Sequence, residues 1–554
     1  MRKKATSARL SVHAIAGTYV VLLTFNLKKS HCPGLRGFGI HRTDHTEEEA
    51  YWLQGTKVFR ENDPKLAPGA RHSTREQPIQ DFWWSDYSAK PGHKYTYRVV
   101  ALKGEPAALE PFAEVKVEIA TEEPAGGDHD VYFNRGATAS QEFARRFGNR
   151  KPPEDNMDHP TWKWLSRGAH EAILDFIDRA EDNHWGLRVG AYEFRLPTVL
   201  SAIDDAQDRG VDVKIFYDAG EAFPRDENRV EVAKARIKSL CTERVPKPDA
   251  LSHNKFIVLL KNGEAQSVLT GSTNFSLGGI FGQSNVVHIV EDPKVAAAYL
   301  DYWQRLEKNP EKNDLAPGLT SDFSIAAKKL PPKGTTSVFS PRDSIDALEL
   351  YAWLAGQAKE AVFMTFAFGM HKLFQDAFAS GKSRLRYALF EKLLGPGVRK
   401  EKREEETAKM RKLRFMVENR FAVGNHIREQ DLAGWFREKL TELNTHVEYV
   451  HTKYMLLDPL GPDPVLVTGS ANFSGASSNK NDENMLIIRG NQRVVDIYLG
   501  EFMRLWEHNA FRDWLAHRNP AVTNEPQYLN STDVWWEKYF GETDLSRHRE
   551  YFAG

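Results

Sequence analysis

The chain has 554 residues, too many for one hydrophobic core, and 75 basic against 76 acidic side chains leave a formal net charge of -1. That balance argues against a protein coated in nucleic acid, although a local basic groove is compatible with it. Two cysteines, Cys32 and Cys241, stand far apart, which excludes a disulfide framework or a cysteine metal set and fits a reducing compartment.

From the amino terminus, Met1-Arg2-Lys3-Lys4 and the apolar residues from Leu10 to Phe25 resemble a signal peptide only superficially. His13 interrupts the apolar stretch, no small-x-small cleavage site follows, and Tyr19–Phe25 reads as a strand. No segment reaches the roughly 18 apolar residues of a membrane span, so a soluble, cytoplasmic protein is expected. Strand-like runs recur at Tyr19–Leu27, Phe82–Tyr87, Lys94–Leu102 and Glu114–Ile119, so residues 1–120 are read as an all-β sandwich. Lys90–Ala101 resembles the late strand of a fibronectin type III domain. Thr121–Gly127 is the linker out.

Helical and strand periods then alternate. Helices are expected at Glu171–Ile177 and Pro197–Arg209, and strands at Leu187–Phe194 and Val211–Tyr217. Ser252-His253-Asn254-Lys255 opens the apolar run Phe256–Leu260, as expected for a strand buried on both faces. Residues two apart on a strand share a face roughly 6.6 Å apart, so His253 and Lys255 point the same way. Lys261-Asn262-Gly263 turns the chain into a second strand, and Gly271-Ser272-Thr273-Asn274-Phe275-Ser276 follows. The helix Val295–Leu306 completes a unit expected to span residues 125–325.

Past Leu330-Pro331-Pro332-Lys333-Gly334 the pattern repeats over residues 326–520, with elements at Leu348–Ala358, Ala361–Phe368, His371–Ala379, Leu385–Phe390 and Val494–Trp506. His451-Thr452-Lys453 and Gly469-Ser470-Ala471-Asn472-Phe473-Ser474 are displaced from their counterparts by 198 positions throughout. Strand–helix alternation predicts an α/β fold, two repeats of mixed sheet flanked by helices, related by a pseudo-twofold axis. The charged run from Arg399 to Lys412 reads as a solvated helix face. Residues 521–554 form a tail whose Val534–Phe540 cluster either clamps it to the body or lines a substrate entrance.

Each repeat gathers an imidazole, an ammonium, a hydroxyl and a carboxamide, a set suited to a phosphate oxyanion. The duplicated His-x-Lys with its Gly-Ser-x-Asn loop resembles the phospholipase D superfamily. The second copy matches the pattern fully, with Asp458 in place and Glu483 downstream. The first departs from it, with Leu260 where Asp458 stands and Ser284 read at the position of Glu483. The tyrosyl-DNA phosphodiesterase branch also lacks that aspartate, so its absence does not imply loss of activity.

The resemblance implies a phosphodiesterase working without metal or other cofactor through a phosphohistidine. It implies catalytic His253, His451, Lys255, Lys453 and Glu483, with His253 the nucleophile and His451 the acid/base. Ser272, Asn274, Ser470, Asn472 and Asp458 are expected to bind substrate. No Gly-rich phosphate loop and no His-Glu-x-x-His motif competes with this reading. The expected substrate is a phospholipid headgroup, with transient contact to a membrane surface. The alternatives are a nuclease or nucleic-acid end-processing enzyme, and a non-catalytic binding protein with a decayed first repeat. Oligomeric state is not legible.

Overall fold

The computed structural model describes residues 1–66, 70–136, 140–246, 249–395, 397–425, 443, 447–517 and 527–554. The amino-terminal region is two facing antiparallel sheets. One is ordered Arg2–Thr6, Leu10–Ala16, Val21–Leu27, Trp83–Asp86, and the other Ala108–Ala120, Lys94–Glu105, Leu35–Asp44, Glu49–Trp52. Phe25, Phe38, Phe82 and Tyr97 fill the space between them. The apolar residues near the amino terminus are thus a hairpin. Gly17 to Val20 make its turn, so the strand expected from Tyr19 begins at Val21.

Two seven-stranded sheets follow with the same order. The first runs His129–Phe133, Val286–Val290, Glu264–Gly271, Lys255–Lys261, Trp185–Ala191, Asp212–Asp218, Cys241–Arg244. The second runs Gly334–Ser340, Glu483–Arg489, Val465–Gly469, Tyr454–Leu457, Ala361–Phe366, Leu385–Phe390, Asn419–Val423. In each, the last three strands are parallel and the others antiparallel, which makes both sheets mixed.

The apolar run after each His-x-Lys is buried on both faces. Phe256, Val258 and Leu260 enter a core shared by the two repeats, while Ile257 and Leu259 enter a core built mainly by the first, which Leu443 of the second joins. Tyr454 and Leu456 face the shared core too, and Met455 and Leu457 the second repeat's own. Helices Pro293–Glu307 and Gln492–His517 pack into the shared core through Tyr299, Trp303, Tyr498 and Phe502. That common core fixes one repeat against the other, and hence the two half-sites.

The charged run forms helix Arg403–Arg414, with Lys409 pairing Glu405 and Glu406 and only Met410 and Leu413 buried. In the tail, Trp535 is buried against Phe38 and Phe82, ring centroids 6.5 and 5.8 Å away, and Tyr539 lies 5.3 Å from Phe82. The aromatic cluster therefore clamps the tail to the sandwich and does not line an entrance to the histidines.

Candidate active site

Each histidine is fixed by the other repeat. The segment leading to His253 bridges that leading to Glu483, with Ser252 opposite Asp482 and the His253 N–H donating to the Asp482 carbonyl at 3.0 Å. The mirror arrangement sets Ser284 opposite Val450, the Ser284 N–H donating to the Tyr449 carbonyl at 3.0 Å. These bridges bring Glu483 Oε2 to 2.9 Å from His253 Nδ1, and Asn285 Oδ1 to 2.9 Å from His451 Nδ1.

Asn285 corrects the sequence reading. The constant displacement of 198 carries Glu483 to Asn285 and Asp482 to Ser284, so Asn285 and not Ser284 is the counterpart. The error was one residue in register, and it concealed the orienting group of the second histidine.

The Gly-Ser-x-Asn loops hold these orienting groups. Ser272 Oγ donates to Asn285 Oδ1 at 2.8 Å, and Ser470 Oγ to Glu483 Oε2 at 2.6 Å. Each hydroxyl also accepts a backbone N–H, from Val286 and Asn484 respectively. Both serines are fully buried and spent on these partners, so the expectation that they bind substrate gives way to a positioning role. The preceding glycines permit the close approach. A Cβ on Gly271 would meet the Val286 carbonyl oxygen at 2.2 Å, and one on Gly469 the Asn484 carbonyl oxygen at 2.3 Å.

Lys255 Nζ donates to the His253 carbonyl at 2.6 Å, and Lys453 Nζ likewise to the His451 carbonyl. Asn274 is buried and Asn472 half-buried, and each carboxamide oxygen is itself buried without a hydrogen-bond partner among the described residues. Buried polar atoms are rarely left so, and these two sit in corresponding places of the two loops. Asp458 is elsewhere. It accepts the backbone N–H groups of Lys359, Glu360 and Ala361 at 2.9, 2.7 and 2.9 Å, closing the far end of the strand that His451 and Lys453 precede. It is a turn anchor and not a substrate ligand, and buried Leu260 takes its place in the first repeat.

Burial dominates the electrostatics, because a charge taken from water must be repaid by neighbours. It pushes Lys255 down to about 7 and Lys453 well below the usual lysine range, the other repeat's lysine adding to the latter. His253 is lowered by burial and partly restored by Glu483. His451 falls well below the ordinary histidine value through burial and then Lys453, Lys255 and His253. Glu483 is opposed by burial yet held low by His253, Lys255 and Ser470. The two repeats' basic groups act on each other, which is the electrical signature of one site.

Residues not singled out from sequence complete it. Tyr192 lies edge-on to the His253 ring at 4.9 Å, with Lys255 Nζ 5.1 Å from its centroid. Glu193 accepts from Ser276 Oγ at 2.5 Å. Arg244, from the edge strand of the first sheet, forms a buried ion pair with Asp482 at 2.9 Å, locking the segment that carries Glu483. Their signal in sequence was only position at strand ends. Among the described residues one cluster has metal-ligand geometry, Asp44, Glu47 and His93, and it belongs to the amino-terminal sandwich.

Two histidines with paired lysines, contributed by duplicated α/β units, define a class of phosphodiester-processing proteins. The family model described as cardiolipin synthase, PLD-like domain, matches residues 173–307 and 408–506. Both repeats thus carry matches to a phospholipase D-like domain. The chain is 31% identical over 136 residues to a phospholipase D of Rickettsia bellii and 30% identical over 136 residues to that of Rickettsia felis. Each match covers 24% of this chain and 62% of the relative, so the chain spans less than two thirds of those proteins. Among solved structures, Nuc of Salmonella typhimurium, described as a phospholipase D family member, is 27% identical with a TM-score of 0.22. That match covers 26% of this chain and 88% of Nuc. Phosphatidylserine synthase of Haemophilus influenzae is 10% identical with a TM-score of 0.43, covering 65% of this chain and 89% of that one.

Proposed function

We propose that the chain is a phosphodiesterase in which both repeats act on one phosphorus through a phosphohistidine, with phospholipid headgroups as its substrate. The observation that carries the mechanism is the crossed pair of bonds from His253 to Glu483 and from His451 to Asn285, which occupies both Nδ1 atoms and leaves both Nε2 atoms for chemistry. A neutral His253 with its Nδ1–H on a carboxylate is the better nucleophile, since that carboxylate compensates the positive charge its ring acquires on bonding phosphorus. Asn285 is fixed as an acceptor because its Nδ2 donates to the Gly279 carbonyl at 2.7 Å. A neutral amide leaves the His451 imidazolium less stabilised, hence a readier proton donor.

In the first step the His253 Nε2 lone pair forms a bond to phosphorus. The ester P–O bond breaks, and the leaving oxygen takes that electron pair and the proton of His451 Nε2. In the second step water attacks phosphorus and gives a proton to the now neutral His451. The N–P bond breaks and its electrons return to His253. Lys255, Lys453, Asn274 and Asn472 receive the non-bridging oxygens, where charge grows in the transition state.

The lipid assignment is supported by the curated relatives' name, phospholipase D, and by the balanced charge of the chain. A phosphohistidine partitions between water and alcohols. Phosphatidylcholine vesicles with a small primary alcohol should therefore yield both phosphatidic acid and the phosphatidyl-alcohol. Cleavage of DNA or RNA without any lipid product would instead assign a nuclease and leave the catalytic residues standing. No turnover of either would favour a binding protein.

A further inference from the structure

A cavity of about 990 Å³ lies where the sandwich, the carboxyl-terminal half of helix Gln492–His517, the second sheet and the tail meet. No residue of the histidine site lines it. Its volume is at the upper end for a small-molecule pocket, and aromatic side chains from all four elements border it, among them Trp84, Tyr87, Tyr387 and Trp506.

Glu507 is the unusual member. Its carboxylate accepts only from neutral donors, the Trp83 indole N–H at 2.5 Å, Ser85 Oγ at 2.9 Å and the Tyr87 hydroxyl. Among the described residues no Lys, Arg or His side chain forms an ion pair with it. A second carboxylate, Asp81, lines the same space. Burial raises Glu507 to about 7, and raises Asp81 to about 6 against the opposing pull of its Tyr539 hydrogen bond, Lys538 and Arg420. The cations that also line the cavity are turned to other work or disfavoured. Arg420 donates to the Tyr387 hydroxyl at 3.0 Å and lies over Trp506 at 5.0 Å. Lys538 lies over Tyr539 at 5.2 Å, and burial lowers Lys57.

A carboxylate that pairs with no cation among the described residues, in a cavity bordered by aromatic side chains, is complementary to a positively charged organic group. We propose that this cavity binds a substituted ammonium ion at the Glu507 carboxylate, with Tyr87 beside it and Trp84 on the cavity wall. The assignment is independent of the phosphodiesterase reading.

Titration of the full chain with tetramethylammonium, followed by tryptophan fluorescence and calorimetry, tests it. Saturable binding is expected, at least tenfold tighter than that of the neutral isostere tert-butanol. Glu507→Gln should weaken it at least tenfold and leave hydrolysis of a generic phosphodiester unchanged. Trp84→Leu, which spares the Glu507 hydrogen bonds, should weaken it as well and serves if the first variant does not fold. Absence of saturable binding, equal affinity for the neutral isostere, preference for inorganic phosphate, or undiminished binding by the folded variants would each overturn the proposal.

Discussion

Glu483 Oε2 lies 2.9 Å from His253 Nδ1 although the two residues belong to different repeats. The reciprocal contact joins Asn285 to His451. Duplication supplied two equivalent half-sites, and the Glu-for-Asn difference made them unequal. That difference gives the site a direction.

Glu483→Gln should therefore slow turnover about 10–100-fold with little change in KM, since losing an orienting partner of this kind costs that much at comparable sites. Asn285→Asp should act oppositely on the other ring. A carboxylate there holds the His451 proton more firmly, so the alkaline limb of the kcat profile should move up and poor leaving groups should suffer most. Equal effects of both substitutions on every leaving group would remove the directional assignment.

The histidines themselves separate by step. His253→Ala and His451→Ala should each abolish turnover of an ordinary diester, and the double variant should be no worse, because they act as a unit. With an activated p-nitrophenyl ester the leaving group needs no proton. His451→Ala should then release a burst of p-nitrophenol and accumulate a phosphoryl adduct on His253, visible by mass spectrometry. A burst from His253→Ala would reverse the roles.

Lys255, to which the proposed mechanism gives a phosphate oxygen, is buried at the expense of stability. Its value falls from 10.5 to about 7 on folding, chiefly through burial. Between these values the unfolded chain binds more protons, so this group's contribution to stability improves as pH rises through the window and is most unfavourable at and below 7. Lys255→Met should raise Tm at pH 7 by roughly 2–4 °C and lower kcat about 10²–10³-fold. The thermal gain should shrink as pH approaches 10. Calorimetry at pH 7 and pH 9.5 checks the sign.

Chelation provides a simpler test. In the proposed mechanism paired lysines and histidines supply the positive charge at the phosphate, so hydrolysis of a generic phosphodiester should survive exhaustive EDTA. Loss of activity restored by Mg²⁺ or Zn²⁺ would require a different electrophile.

Much of this was legible in sequence because strands leave a local record. The runs Phe256–Leu260 and Tyr454–Leu457 announce burial on both faces, and a fixed displacement links both His-x-Lys pairs and both Gly-Ser-x-Asn loops. What escaped depends on contacts between distant segments. Asn285 has no local signature, and only the bridge from Ser284 to Val450 reveals what it orients. Arg244 acquires its meaning from Asp482, 238 positions away. Asp458 shows the converse error. Its motif position resembles a ligand, yet its carboxylate is used on backbone N–H groups at the opposite end of the strand.

The low proton affinities of the free site lead to a final prediction. Burial and neighbouring cations keep His451 neutral near pH 7 and leave Lys255 near half-protonated. A bound anion supplies the missing negative charge and stabilises the protonated form of each. In the proposed mechanism the general acid would thereby be charged by the substrate it serves. Binding of tungstate, a tetrahedral dianion that does not titrate in this range, should be accompanied by uptake of about one proton or more at pH 7.5. The uptake appears in calorimetry as a dependence of the observed heat on the ionisation enthalpy of the buffer. In His451→Asn it should fall by the share that the imidazole takes, leaving the lysine contribution. Binding with no proton uptake would mean that the free site already holds its charges, and the substrate-charged acid would have to be abandoned.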